Sequence, residues 1–239
     1  MPDHTKRDPK DVEKMFSGVA KNYDKINRAL CFGLDVLWRK KLAKVALKDF
    51  SNASPNVIDL ACGSGDVALE LAKTDASAKI TASDFCQEML NVAERKSQDN
   101  GFSKRIKFLF ADCQHLPFEN ESFNVATISF GFRNFQNRSA CLTEIARVLK
   151  PSGRLAILEV ARANRFLEFA QKIFMSAIVP FIATLFGGDK SSYQYLANST
   201  LAYPKQKEVE KMFEQAGFEN VKTIRMGCGL VAITTGVKK

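Results

Sequence analysis

Histidine is scarce in this 239-residue chain, where only His4 and His115 occur. A histidine-based catalytic triad, or a zinc site built on imidazole, has little to draw on. The six cysteines, at 31, 62, 86, 113, 141 and 228, include no C-x-x-C pair. Scattered thiols fit a reducing compartment, so no disulfide framework and no metal site are expected. The opening MPDHTKRDPKDVEK has no apolar core of the kind a secretory leader needs, which points to a cytoplasmic protein. Internal repeats and low-complexity blocks are missing too, which sets solenoids aside. One stretch, 166–188, is strongly apolar, but Glu168, Gln171, Lys172 and Pro180 interrupt it. A spanning helix needs about 20 apolar residues. A helix or helix pair packed on the rest of the protein is therefore expected, with a lid over an apolar ligand as the intermediate case.

What is present describes a folded protein with one sizeable core. Hydrophobic residues make up 46% and charged residues 26%, which excludes disordered and collagen-like chains. Thirty-five Lys and Arg against 26 Asp and Glu give a net charge of +9. That excess calls for an anionic partner, either nucleic acid or an acidic membrane surface. Its densest source is Arg39, Lys40, Lys41, Lys44 and Lys48, on a helix expected to start after Gly33 with Asp35 as its N-cap. An earlier helix is expected over 12–22, from the spacing of Val12, Met15, Phe16 and Val19.

From residue 56 strands and helices alternate. Strands are expected at 56–61, 79–84, 106–112, 123–130 and 154–160. Helices are expected at 66–73, 87–100 and 138–149, with a turn at 150–153. Helix 205–216 and a strand pair at 219–226 and 230–237 close the chain. This rhythm predicts an α/β fold: a mainly parallel, Rossmann-like sheet with helices on both faces and an antiparallel C-terminal strand. The chain reads as one domain, 1–239. Its segments are a helical cap (1–50), a cofactor-binding half (51–160), a helical lid (161–204) and a C-terminal helix with strands (205–239).

In such sheets ligands sit beyond the carboxyl ends of the strands. The first end carries Asp59, then Gly63, Ser64, Gly65 and Asp66. With Ala68 the glycines satisfy a relaxed dinucleotide fingerprint, so a nicotinamide cofactor is one candidate. Two carboxylates flanking the turn repel a pyrophosphate and suit a ligand bearing ammonium and sulfonium charges, S-adenosyl-L-methionine. Asp84, at the second strand end, has the spacing of a ribose-binding acid. Asp112 and Cys113 end the third strand and suit an adenine; Ser129 ends the fourth. The set points to a methyltransferase of the S-adenosylmethionine-dependent class I type. The competing readings are an RNA methyltransferase, favoured by the charge, and a non-enzymatic nucleotide-binding or membrane-associated module.

Beyond these residues the chain resembles the ubiquinone/menaquinone biosynthesis C-methyltransferases. The resemblance rests on YDKINRALCFGLDVLWRK (23–40), DLACGSGD (59–66), LPF (116–118), ISFGFRNF (128–135), RVLKPSGRLAILE (147–159), GDKSSYQYLANS (188–199) and AGFENV (216–221). Phe132, Cys62 and the VAITTGVKK ending depart from the family's commoner residues. The resemblance implies cofactor contacts at Ser64, Asp84, Asp112, Cys113 and Ser129, and methyl transfer to a ring carbon of a prenylated quinol. A quinol carbon becomes nucleophilic as a neighbouring hydroxyl loses its proton, so a group must stabilise the phenolate. With histidine so scarce, Arg133 is the candidate for that role, with Asn134 and Tyr23 orienting the ring oxygens. The alternative is that Arg133 only pairs with Asp66 or Glu159. Tyr193, Gln194 and Tyr195, with nearby phenylalanines, are expected to wall the ring pocket. The basic helix is expected to face anionic headgroups from which the substrate is drawn, and a homo-oligomer is left open; no nucleic-acid partner is expected.

Overall fold

The structure, a computed structural model, describes residues 17–18, 23–50, 53–162, 168–179 and 190–239. Five strands lie parallel: β1 (Asn56–Leu60), β2 (Lys79–Asp84), β3 (Ile106–Phe110), β4 (Phe123–Ser129) and β5 (Leu149–Val160). Two more, β6 (Phe218–Met226) and β7 (Val231–Lys238), pair antiparallel, and β7 joins β5 antiparallel. Across the sheet the order is β3-β2-β1-β4-β5-β7-β6. The chain builds outward from β1 to β3, then returns to the other side of β1 at β4. That reversal opens a crevice at the carboxyl ends of β1 and β4, the place where such sheets take ligands.

Side chains alternate along each strand, so a central strand feeds two cores. Ile58, Leu60, Ala126, Ile128, Leu155 and Ile157 pack on one face against α5 (Arg138–Val148) and α8 (Gln206–Gln215). Val57, Val125, Ala156, Leu158 and Ile233 pack on the other against α2 (Leu34–Leu47) and α3 (Asp66–Thr74). Each fully buried aliphatic side chain contributes roughly 1.5–3 kcal/mol of transfer free energy. On β2's flank, α4 (Gln87–Asp99) buries Met89, Leu90 and Ala93. A separate small core joins Ile26 and Leu30 of α1 (Tyr23–Leu30), Val179, and Ala197 of α7 (Lys190–Leu201). The N-terminal helix and the segment after β5 thus pack on each other.

Several boundaries differ from the sequence expectation, each for a local reason. Asp35 lies inside the first turn of α2, with left-handed Gly33 as the flanking residue. Its buried carboxylate accepts from Arg39, which it meets one turn later, in place of a backbone cap. β3 stops at Phe110, because the Asp112 carboxylate accepts the Gln114 N–H at 2.9 Å and turns the chain. β4 stops at Ser129, because Phe130 takes left-handed backbone (φ 56°). The 150–153 segment lies within β5, as an excursion between Leu149, opposite Phe123, and Arg154, opposite Val125. Arg154 in turn donates to the carbonyls of Val45, Ala46 and Lys48 and holds the C-terminal end of α2.

The apolar stretch after β5 forms α6 (Glu168–Ile173) and a π-helical turn, Phe174–Ile178. Among the described residues no helix is long and apolar enough to cross a membrane. The helix expected over 12–22, apart from Ser17 and Gly18, and the 166–167 and 180–188 parts of the apolar stretch lie outside the described residues.

Candidate active site

After Leu60 the backbone is left-handed at every second residue: Ala61, Gly63 and Gly65 have φ of 49°, 53° and 81°. Left-handed backbone is open to glycine and costs other residues about 1–2 kcal/mol. The two glycines serve different ends. A Cβ on Gly65 would lie 2.8 Å from the Ala93 Cβ, so its bareness lets α4 pack against the turn. A Cβ on Gly63 would meet nothing within 4 Å, so the turn offers bare backbone to open space. The turn also touches the end of β4, where a Cβ on Gly131 would come 2.8 Å from that of Ala61.

Asp84 closes the turn from β2. Its Oδ2 accepts the Gly63 N–H at 2.8 Å, and its Oδ1 accepts the Cys86 N–H at 2.9 Å. Burial pushes its carboxyl up, opposed by those backbone donors. Each oxygen keeps a lone pair for a further donor, such as a sugar hydroxyl. Asp59 lies wholly buried below the turn. It sits opposite Thr127 in the parallel register of β1 and β4, and its Oδ1 accepts the Thr127 hydroxyl at 2.7 Å. Burial pushes its carboxyl up to about 7, against the pull of that hydroxyl; the nearby Asp84 adds to the rise.

Asp66 corrects the charge argument made from the sequence. Its carboxylate pairs with Lys96 of α4, with Arg39 at 3.2 Å and with Arg28 at 3.9 Å. Burial opposes ionisation, yet these cations hold the group below the usual carboxylate range. Asp66 is committed to protein cations, which leaves Asp84 at the turn and exposed Asp112 for a ligand, with Asp59 buried beneath. Ser64 is 3% exposed and donates its hydroxyl to Asp24 at 2.5 Å.

The other expected positions fall on neighbouring strand ends. Asp112 is exposed, while Cys113 is buried and its thiol pushed far up by that burial. Ser129 ends β4, and Arg133 and Asn134 lie in the 3-10 turn Phe132–Asn134 just beyond. Arg133 is buried with Glu159 of β5: Nη1 lies 2.9 Å from Oε1, and its backbone N–H donates to Oε2 at 3.0 Å. Of the two carboxylates expected as its alternative partners, Glu159 is the one it meets. His115 is an exposed loop residue whose backbone N–H donates to the Asp112 carbonyl. Tyr23 opens α1, and its side chain lies outside the described residues, as does that of Tyr193. Tyr195 is buried on α7, and Gln194 is exposed.

Asp24, Lys96 and Arg28 are the site residues that sequence reasoning missed. Asp24 sat in the Tyr-Asp pair of the family resemblance, but nothing in its spacing links it to a serine 40 residues on. Lys96 reads as one more polar position of an amphipathic helix.

Four polar atoms at or just beyond the strand ends are buried without a hydrogen-bond partner among the described residues: Asp59 Oδ2, Ser83 Oγ, Ser129 Oγ and Asn134 Oδ1. Unsatisfied buried groups are costly, and a ligand that reaches them removes the cost. Together with bare backbone at Gly63 and free lone pairs on Asp84, they fit a nucleoside with hydroxyls to donate and a cationic sulfur. S-adenosyl-L-methionine has both.

The ubiE/COQ5 methyltransferase family model matches residues 4–238. The chain belongs to this family. It is 35% identical over 232 residues to a ubiquinone/menaquinone biosynthesis C-methyltransferase of Rickettsia bellii, covering 95% of this chain and 92% of that one. It is 36% identical over 223 residues to a demethylmenaquinone methyltransferase of Thermus thermophilus, covering 93% and 99%. The fold matches a solved S-adenosylmethionine-dependent methyltransferase of Aquifex aeolicus with a TM-score of 0.60, at 20% identity, over 82% of this chain and 89% of that one. The chain is a methyltransferase, and S-adenosyl-L-methionine is its methyl donor.

The glycine geometry separates two substitutions. Gly63→Ala meets no atom, so unfolding in urea is expected to show a loss of only about 1–2 kcal/mol, while calorimetry shows S-adenosylhomocysteine binding weakened more than about tenfold. Gly65→Ala adds a clash with Ala93 and is expected to lose about 2–4 kcal/mol of stability. Asp59 carries a pH signature. A carboxyl raised to about 7 by burial contributes stability that is complete below its unfolded value and lost as pH rises through 7. Measured from pH 5 to 8, wild-type stability is therefore expected to fall relative to Asp59→Asn, which has no such group. Parallel curves for the two proteins would show that Asp59 does not titrate there.

Proposed function

We propose that the protein methylates a ring carbon of a prenylated quinol. The substrates are demethylmenaquinol and, on the same chemistry, a polyprenyl-methoxy-benzoquinol of the ubiquinone route. The observation that carries this reading is the family match over nearly the whole chain, joined to a complete set of strand-end groups. Relatives named for both routes resemble the chain to a similar degree, so both rings belong in the assay.

S-adenosyl-L-methionine, when bound, supplies the methyl group as an electrophile. The chain's own residues hold and polarise. Asp84 accepts hydroxyl hydrogens, Gly63 and Gly65 admit the ligand to the backbone, and Ser64, Asp112, Cys113 and Ser129 line the remaining strand ends. Asp59 sits beneath as a buried carboxyl whose ionisation a cationic ligand favours. On the acceptor side, Arg133, Asn134 and Tyr23 are assigned to the ring oxygens. A solvent water accepts the hydroxyl proton, Arg133 takes up the charge that develops on the phenolate oxygen, and Glu159 fixes its guanidinium in place. Holding nucleophile, methyl and sulfur in line then accounts for much of the acceleration. The segments 1–50 and 161–204 act as the cap over this single catalytic domain; their packing through Ile26, Leu30, Val179 and Ala197 supports that.

Membrane contact belongs to the same reading, with the expected lysines of α2 outward but without Arg39 and Trp38. Arg39 turns inward to Asp35 and Asp66, and Trp38 is half-buried against Phe130 and Gly227. The outward side carries Phe32 at 76% exposure and Leu37 at 59%, with exposed Lys40, Lys41 and Lys44 following along the helix. Phe32 holds left-handed backbone (φ 50°), a strain of about 1–3 kcal/mol, and yet its ring gains no burial. Apolar anchors beside lysines suit an anionic bilayer surface.

Labelled S-adenosyl-L-methionine with each quinol tests the activity: incorporation into the quinol is expected, and its absence with both rings overturns the reading. Arg133→Lys keeps the charge beside Glu159 but loses the fork, so kcat is expected to fall about a hundredfold while S-adenosylhomocysteine affinity stays within about threefold. An unchanged kcat removes Arg133 from the chemistry. For the docking face, sedimentation with phosphatidylglycerol vesicles at low salt is expected to capture the wild type and to lose at least about tenfold with Leu37→Ser and Lys41→Glu together. Equal capture by neutral phosphatidylcholine vesicles would remove the lysines from the account.

A further inference from the structure

A mixed-charge cluster joins the N-terminal helices to the glycine turn from outside the strand ends. Asp24 of α1 accepts the Ser64 hydroxyl at 2.5 Å through Oδ1 and the Lys96 ammonium at 2.8 Å through Oδ2. Lys96 also pairs with Asp66 and lies 3.4 Å from the Ser64 oxygen. Arg39 bridges Asp66 and Asp35, and Arg28 lies 3.9 Å from the first and 3.6 Å from the second. The carboxylates Asp24, Asp35 and Asp66 thus face the cations Arg28, Arg39 and Lys96, and the formal charges balance. Five elements contribute: α1, α2, the glycine turn, the start of α3, and α4.

Ser64 is the point where this cluster meets the cofactor turn. It lies between two left-handed glycines, whose torsions cost little to change. A turn of that kind needs an outside hold to present one geometry, and Ser64, 3% exposed, has its hydroxyl fixed by Asp24. Asp24 is fixed in turn, because Lys96 anchors its second oxygen to α4. The hold comes from a helix that also packs on the segment after β5, through Ile26 and Leu30.

We propose that Asp24 is a positioning residue for the methyl-donor site. Acting through the Ser64 hydroxyl, it sets the glycine turn, and through Lys96 it clamps α1 over that turn. The proposal rests on the assignment of the turn to S-adenosyl-L-methionine. It predicts a graded series of substitutions. Asp24→Asn keeps an acceptor for Ser64 and loses the charge, Asp24→Ala loses both, and Ser64→Ala removes the other half of the same bond. Two changes that break one bond do not add.

Calorimetric titration of the full chain with S-adenosylhomocysteine tests this, with hydrogen exchange of residues 23–30 as a second measurement. Asp24→Ala and Ser64→Ala are each expected to raise Kd about tenfold, and the double variant no more than either alone. Asp24→Asn is expected to keep most of the affinity. The KM for S-adenosyl-L-methionine is expected to rise while kcat changes little, and exchange at 23–30 to speed up in Asp24→Ala. A role confined to stability would lower the Tm of Asp24→Ala and leave Kd and KM at wild-type values, which overturns the proposal. Independent effects that multiply to about a hundredfold in the double variant overturn it as well. A wild-type chain that does not bind S-adenosylhomocysteine overturns the cofactor assignment itself, a different result from wild-type binding that Asp24→Ala leaves intact.

Discussion

The crossing of the chain from one side of β1 to the other places three strand ends around one crevice, and everything chemical in the molecule hangs on that placement. β1 delivers the left-handed turn, β2 delivers Asp84 to its N–H, and β4 delivers Gly131 close enough to touch Ala61. The parallel register of β1 and β4 sets Asp59 opposite Thr127, so a carboxyl is buried whole beneath the turn with a hydroxyl as its partner. Such a group sits far from its ordinary ionisation, and a cationic ligand above it has most to gain from its charge.

Charge elsewhere in the site is spent inside the protein. Asp66 stands at the start of α3, where a carboxylate suits the helix dipole, but Lys96, Arg39 and Arg28 converge on it. Arg133 and Glu159 form a second enclosed pair beyond β4. Burying one member of such a pair without the other costs about 3–5 kcal/mol, so each pair fixes the backbone that carries it. The first holds the N-terminal helices on the cofactor turn, and the second holds the turn after β4. Both groups are neutral in sum, so the +9 excess of the chain lies outside them, and the lysines that remain outward on α2 lie beside strained and exposed Phe32.

The strands, the glycine turn and the acidic strand ends were legible because each is written locally. Residues 56–60 and 123–129 are short, mostly apolar runs that lead into small or acidic residues, and left-handed backbone at 63 and 65 favours glycine. Boundaries were less legible where a tertiary contact decides them. Asp35 was expected as a cap and is buried against Arg39, and β4 ends one residue early because Phe130 turns left-handed. The partners of Asp66 and Ser64 were not legible at all, since Lys96 and Asp24 are 30 and 40 residues away in sequence and carry no pattern that pairs them.

The amino-acid sequence by itself determined the α/β class and the place of the cofactor turn, because hydrophobic period and glycine act over a few residues. It also carried the family's marks from Tyr23 to Val221. Tertiary structure decided which charges remain available to a ligand. Pairing depends on which helices the sheet brings within a few ångströms, and burial depends on every element packed around a group. Asp59 and Asp66 look alike in the string DLACGSGD. Packing buries the first against Thr127 and gives the second three cations, so the one is pushed toward its neutral form and the other is held ionised.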